Sequence, residues 1–110
     1  MNISIEGKLS LLRDSLTNLS KSYQEQINNF PDYVDVYDEV VSDFDNAFRL
    51  LPAIMEQRAI SYEALIEILK CNNLIAINLS VTERQTDKSL ENDEAWNLVR
   101  AYASNALNLL

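Results

Sequence analysis

Apolar residues near the start of the chain recur at alternating steps of four and three: Ile5, Leu9, Leu12, Leu16, Leu19 and Tyr23. This is the a and d seam of a heptad. It predicts a long helix whose remaining positions, among them Ser10, Arg13, Asp14, Thr17, Asn18, Lys21 and Ser22, face water. Leu11 widens the stripe. Asn28 and Asn29 suit a C-terminal cap and Pro31 suits the first turn of a following helix, so the first helix is expected to run to that boundary.

On a wheel of about 100° per residue, the second segment separates cleanly. Tyr33, Tyr37, Val40, Val41, Phe44, Ala47, Phe48 and Leu51 fall on one side, flanked by Val34 and Val36. Asp32, Asp35, Asp38, Glu39, Ser42, Asp45 and Asn46 fall on the other, with Asp43 at the edge of the polar face. Pro52 then breaks or kinks the helix. Ser61 is a good N-cap, and Ile60 and Leu65 have the spacing of a hydrophobic staple.

From there Leu65, Ile68, Leu69, Ile75, Ala76 and Leu79 continue a helical face that Asn72 and Asn73 interrupt. Residues 74–81 also alternate in strand fashion through Ile75, Ile77, Leu79 and Val81, but the chain offers no convincing partner strand, and helix is the preferred reading. Residues 82–92 are the most polar and are expected to form a surface loop. Ser89 or Asn92 then caps a last helix that buries Trp96, Val99, Ala103, Ala106, Leu107 and Leu110. The expected fold is all-α: one domain over residues 1–110, a compact antiparallel bundle of four to five helices.

Composition narrows the chemistry. With 47% apolar residues in 110, the chain can bury a core without disulfides or a structural metal. Its one glycine, Gly7, argues against sheet-rich folds and phosphate-cradling loops. It has no histidine and one cysteine, Cys71, so histidine-dependent triads, haem ligation through histidine and structural zinc are not expected. Residues 1–10 have no signal-peptide pattern, and no apolar stretch is long enough to span a bilayer, so the expected location is cytoplasmic.

The 17 acids outnumber the 9 bases unevenly. Residues 31–48 hold six acids (Asp32, Asp35, Asp38, Glu39, Asp43, Asp45) and no base, which leaves a net of −2 for the remainder of a chain whose total is −8. Acids at helical spacing repel by about 0.2–0.5 kcal/mol per pair, so this face is costly to the helix that carries it. Solvation alone is one reading of it. The other is a docking surface for a basic protein, in which carboxylates steer at long range and Tyr33 and Tyr37 anchor at contact.

Metal binding is not expected, because the run from Asp43 to Asn46 lacks the glycine and loop of an EF-hand and no histidine is present for a di-iron site. No cofactor is implied. The carboxylate pairs Asp35 with Glu39 and Glu63 with Glu67 lie on polar faces where nothing raises a pKa toward neutrality, and Cys71 and Trp96 read as core, so no enzymatic activity is expected. The nine bases are scattered, without the stripe that binds nucleic acid directly.

The expected function is therefore that of a small acidic inhibitor, of immunity-protein or antitoxin type. It would neutralise a basic partner such as a toxin nuclease through Asp32, Tyr33, Asp35, Tyr37, Asp38, Glu39, Asp43 and Asp45, as a monomer or homodimer away from membranes. The alternative is a self-associating adaptor that pairs through the leucine seam of the first helix.

Overall fold

The computed structural model describes residues 3–110, all-α, with no strand among them. Of residues 1–10, which carry no signal-peptide pattern, the first two lie outside that range. Seven α-helices follow in order: α1 (Ile5–Ser20), α2 (Tyr23–Asn28), α3 (Val36–Phe48), α4 (Leu51–Glu56), α5 (Tyr62–Leu79), α6 (Asp87–Asn92) and α7 (Glu94–Asn108), with a 3-10 turn at Thr82–Arg84. Four are long and three are single short segments, so the count exceeds the four to five expected.

Local chemistry explains each additional boundary. The leucine seam does not run unbroken into Tyr23, because Lys21 is extended and Ser22 starts a new helix with a capping box. The Ser22 hydroxyl accepts the Glu25 N–H, and the Glu25 carboxylate accepts the Ser22 N–H. Carbonyls freed at that break find donors: Gln26 Nε2 donates to Asn18 O at 2.9 Å and Arg100 Nε to Lys21 O at 2.9 Å.

Pro31 opens a turn rather than a helix, with the Val34 N–H donating to its carbonyl at 3.0 Å, and α3 starts only at Val36, behind the cap Asp35. Pro52 lies in the first turn of α4, where its missing N–H costs nothing. That helix ends in a Schellman motif, the Ala59 N–H donating to Ile54 O and the Arg58 N–H to Met55 O. Arg58 takes the left-handed position there, at φ 53°.

Ser61 caps α5 as expected, and α5 continues through Asn72 and Asn73 to Leu79, so residues 74–79 are helix and not strand. Residues 82–92 are not a loop. Thr86 caps α6, which buries Leu90, and Asp93 rather than Ser89 or Asn92 caps α7.

Helix α7 is the centre of the packing, with α5 on one flank and α1 on the other, and α1 in turn packs on α3. Leu12, Leu16 and Leu19 of the seam are almost fully buried, in one cluster with Phe44, Ile54, Ile68, Trp96, Val99 and Ala103. Leu11 remains exposed. Leu12, Leu16 and Leu19 are thus covered by the protein's own helices, while Ile5 and Leu9 are partly buried. Trp96 sits edge-on to Tyr37, with ring centroids 5.6 Å apart and an interplanar angle of 87°. No helix among the described residues is long and apolar enough to cross a membrane.

Candidate functional site

The eight residues expected to form a docking surface separate in three dimensions. Asp32 and Tyr33 precede α3 in the turn opened by Pro31, and Tyr33 is 89% exposed. Asp35 is the N-cap, its carboxylate accepting the Asp38 N–H at 3.2 Å. Asp38 and Glu39 stand exposed in the first turn, where the positive end of the helix dipole favours negative charge.

Tyr37 does not belong to this surface. It is 6% exposed, packed against Trp96, and burial followed by the charges of Asp38 and Asp35 raises its phenol above the ordinary value. The wheel places it on the apolar side, and the fold closes over that side, so it cannot serve as a contact anchor. Farther along α3, Asp45 is exposed and pairs with Arg49 at 3.0 Å.

Asp43 points the other way, into a groove of about 420 Å³ between α1 and α3 shared with Asp14, Asn18 and Asn46. Burial raises the Asp43 carboxyl above its ordinary value. The folded state therefore holds this proton more tightly than the unfolded chain does. The resulting contribution to stability is present below the ordinary carboxylate range and is lost as pH rises through the raised folded value. Asp43→Asn is expected to raise the melting temperature at pH 7, with a gain that shrinks on acidification to about pH 3. A gain of the same size at both pH values would show that the charge is not its cause.

Asp87 of α6 extends the surface at the N-terminal end of α3, a placement the sequence pattern does not reveal. Asp87 accepts the Tyr37 N–H at 3.1 Å through one oxygen and the Tyr23 hydroxyl at 3.1 Å through the other. It thereby satisfies an otherwise unpaired donor of α3's first turn from a different helix. Burial comes first in raising the Tyr23 phenol, then the hydrogen bond and charge of Asp87, then Glu91 and Asp35. Of these carboxylates, Asp87 is the one in hydrogen-bond contact with the Tyr23 hydroxyl. Periodicity gives no sign of a partner 50 residues away.

Cys71 is fully buried and its thiol is pushed up to about 12 by desolvation, which keeps it protonated at neutral pH. Glu67 lies 3.7 Å from Lys70, which also stands over the Tyr102 ring at 5.5 Å. Among the described residues no group of three or more acids and cysteines is arranged to hold a metal ion. No protein-family model matches the chain, and neither the curated proteins nor the solved structures contain a significant match.

Proposed function

We propose that the protein is a non-enzymatic inhibitor of immunity-protein or antitoxin type, acting in the cytoplasm, which neutralises a basic partner such as a toxin nuclease through the acidic surface of α3. The four long helices serve as a bundle scaffold for that surface. One observation carries the reading: Asp32, Asp35, Asp38 and Glu39 are all exposed, and none is in an ion pair among the described residues. Exposed carboxylates with no cationic side chain beside them, on a rigid helix end, are suited to attract a cationic surface. Tyr33, projecting beside them, supplies an aromatic contact.

If an adjacent reading frame encodes a basic, toxic protein, co-expression of the chain with that product tests this directly. The chain is expected to rescue growth and to form a complex with it. Asp38 and Glu39 make no structural hydrogen bond through their side chains, unlike Asp35, so they are the residues to reverse. Asp38→Lys with Glu39→Lys is expected to slow association by about ten-fold or more at low ionic strength. The difference should close at about 1 M salt, where screening reaches a few ångströms. An unchanged association rate in stopped flow, with the fold intact by circular dichroism, would remove α3 from the interface.

A further inference from the structure

Leu9 and Arg13 of α1, the connection from Arg58 to Ser61 between α4 and α5, and Leu109 after α7 line a pocket of about 320 Å³. Its lining contains two arginines and no acidic side chain, the reverse of the α3 surface on a chain whose total charge is −8. A carboxylate at the end of Leu110, which also lines it, still leaves a net charge of +1. Glu6, Asp14, Glu56 and Glu63 are close in sequence but are not part of the lining.

These two cations differ from the other arginines of the chain. Arg49 is held by Asp45, Arg84 donates to Asn78 Oδ1, and Arg100 donates to the carbonyls of Lys21 and Leu90. Arg13 and Arg58 have no ion pair or side-chain hydrogen bond among the described residues. Arg58 is also the non-glycine residue at positive φ, in the position that ends a Schellman motif and ordinarily takes glycine or asparagine. A Cβ there crowds the following carbonyl, so an arginine is kept at this point against the preference of the backbone. Beside it Ser61 caps the 18-residue helix α5, whose dipole adds positive potential at the same end of the pocket.

We infer that this pocket binds a small organic anion, its carboxylate or phosphate oxygens held by Arg13 and Arg58 and a short apolar body resting on Leu9, Ile60 and Leu109. Guanidinium forks match the geometry of both oxyanions. The volume is at the lower end of the range of about 300–1,000 Å³ for ligand sites, which suits a short chain or a single ring. A cation has the wrong sign, and a neutral apolar molecule leaves two like charges uncompensated. The site uses no residue of α3 and stands apart from the acidic surface.

Titration of the full chain at low ionic strength with hexanoate, phenyl phosphate, inorganic phosphate and hexylamine tests this by amide chemical shifts. Hexanoate or phenyl phosphate is expected to bind saturably at about 1 mM, with shifts concentrated from Arg58 to Glu63, and hexylamine is expected not to saturate. Arg13→Gln and Arg58→Gly should each weaken the better anion by about ten-fold. Arg58→Gly should at the same time raise the melting temperature, because glycine takes the left-handed conformation without penalty. Affinity and stability moving in opposite directions distinguishes a binding residue from a structural one.

No saturable binding of either organic anion, equal binding of hexylamine, or full affinity in a folded Arg13→Gln, Arg58→Gly double variant overturns the site. Inorganic phosphate binding as tightly as phenyl phosphate overturns the apolar half of it.

Discussion

Trp96→Ala is expected to destabilise the protein by about 3–5 kcal/mol, the range for removing a large aromatic side chain from a closed core. Trp96 is fully buried, and its indole N–H donates to Arg84 O at 2.9 Å while its ring meets Tyr37 edge-on at 5.6 Å. Three losses coincide: apolar burial, the hydrogen bond that fixes the 3-10 turn to α7, and an aromatic pair. A domain of this size has a total stability of about 5–15 kcal/mol, so the variant should be marginal at room temperature. Trp96→Phe separates the contributions, because it keeps most of the ring and strands the Arg84 carbonyl, at an expected cost of about 1–3 kcal/mol. Urea denaturation followed by far-ultraviolet circular dichroism reads both, since this is the only tryptophan in the chain. A loss below about 1 kcal/mol for Trp96→Ala would mean that the contacts between α7, α3 and the 3-10 turn do not depend on this side chain.

Arg100→Ala is expected to cost about 3 kcal/mol, although Arg100 makes no salt bridge among the described residues. Its guanidinium is half-buried and donates to Lys21 O at 2.9 Å, Leu90 O at 2.7 Å, Gln26 Oε1 at 3.1 Å and Asn97 Oδ1 at 3.0 Å. Burial lowers its pKa from the ordinary value, the sign expected for a cation partly withdrawn from water. One side chain thus joins the α1–α2 break, the end of α6 and α7. Removing it leaves acceptors without donors, Gln26 being 1% exposed. Arg100→Lys can satisfy fewer of them from a single nitrogen and should recover less than half of the loss. The measurement is the urea midpoint at constant slope. A variant as stable as the natural chain would show that water replaces the guanidinium at no cost.

Arg100 also shows where one-dimensional reading stops. It lies four residues after Trp96 and three before Ala103, inside the apolar stripe of α7, and Asn78 similarly continues the stripe of Ile68, Cys71 and Ile75 on α5. A polar residue within a buried stripe is a legible signal that a polar partner is buried too. The partners are not legible: Asn78 donates to Ala95 O at 3.2 Å and accepts from Arg84 at 3.2 Å, and Arg100 reaches back 79 residues to Lys21. The break after Ser20 was legible in the Ser22 and Glu25 capping box, which the strength of the leucine seam obscured. Residues 82–92 read as a loop because a six-residue helix with one buried leucine is too short to show a period.

For the candidate site the division is similar. Helical periodicity separated the acids of α3 from its apolar side, and that separation survives in the fold because each helix hides the stripe that water excludes. Tertiary packing decided the rest. It covered Tyr37 with Trp96, turned Asp43 toward α1, brought Asp87 of α6 to the N-terminal end of α3, and left a groove open beside Asp45. Side-chain spacing along one helix is a local property that about 1.5 Å of rise and 3.6 residues per turn dictate. Which helices stand beside it depends on how all the stripes satisfy one another at once. The sequence alone therefore determined that α3 would carry the charge, and only the tertiary structure determined which of those charges face outward together and what lies beside them.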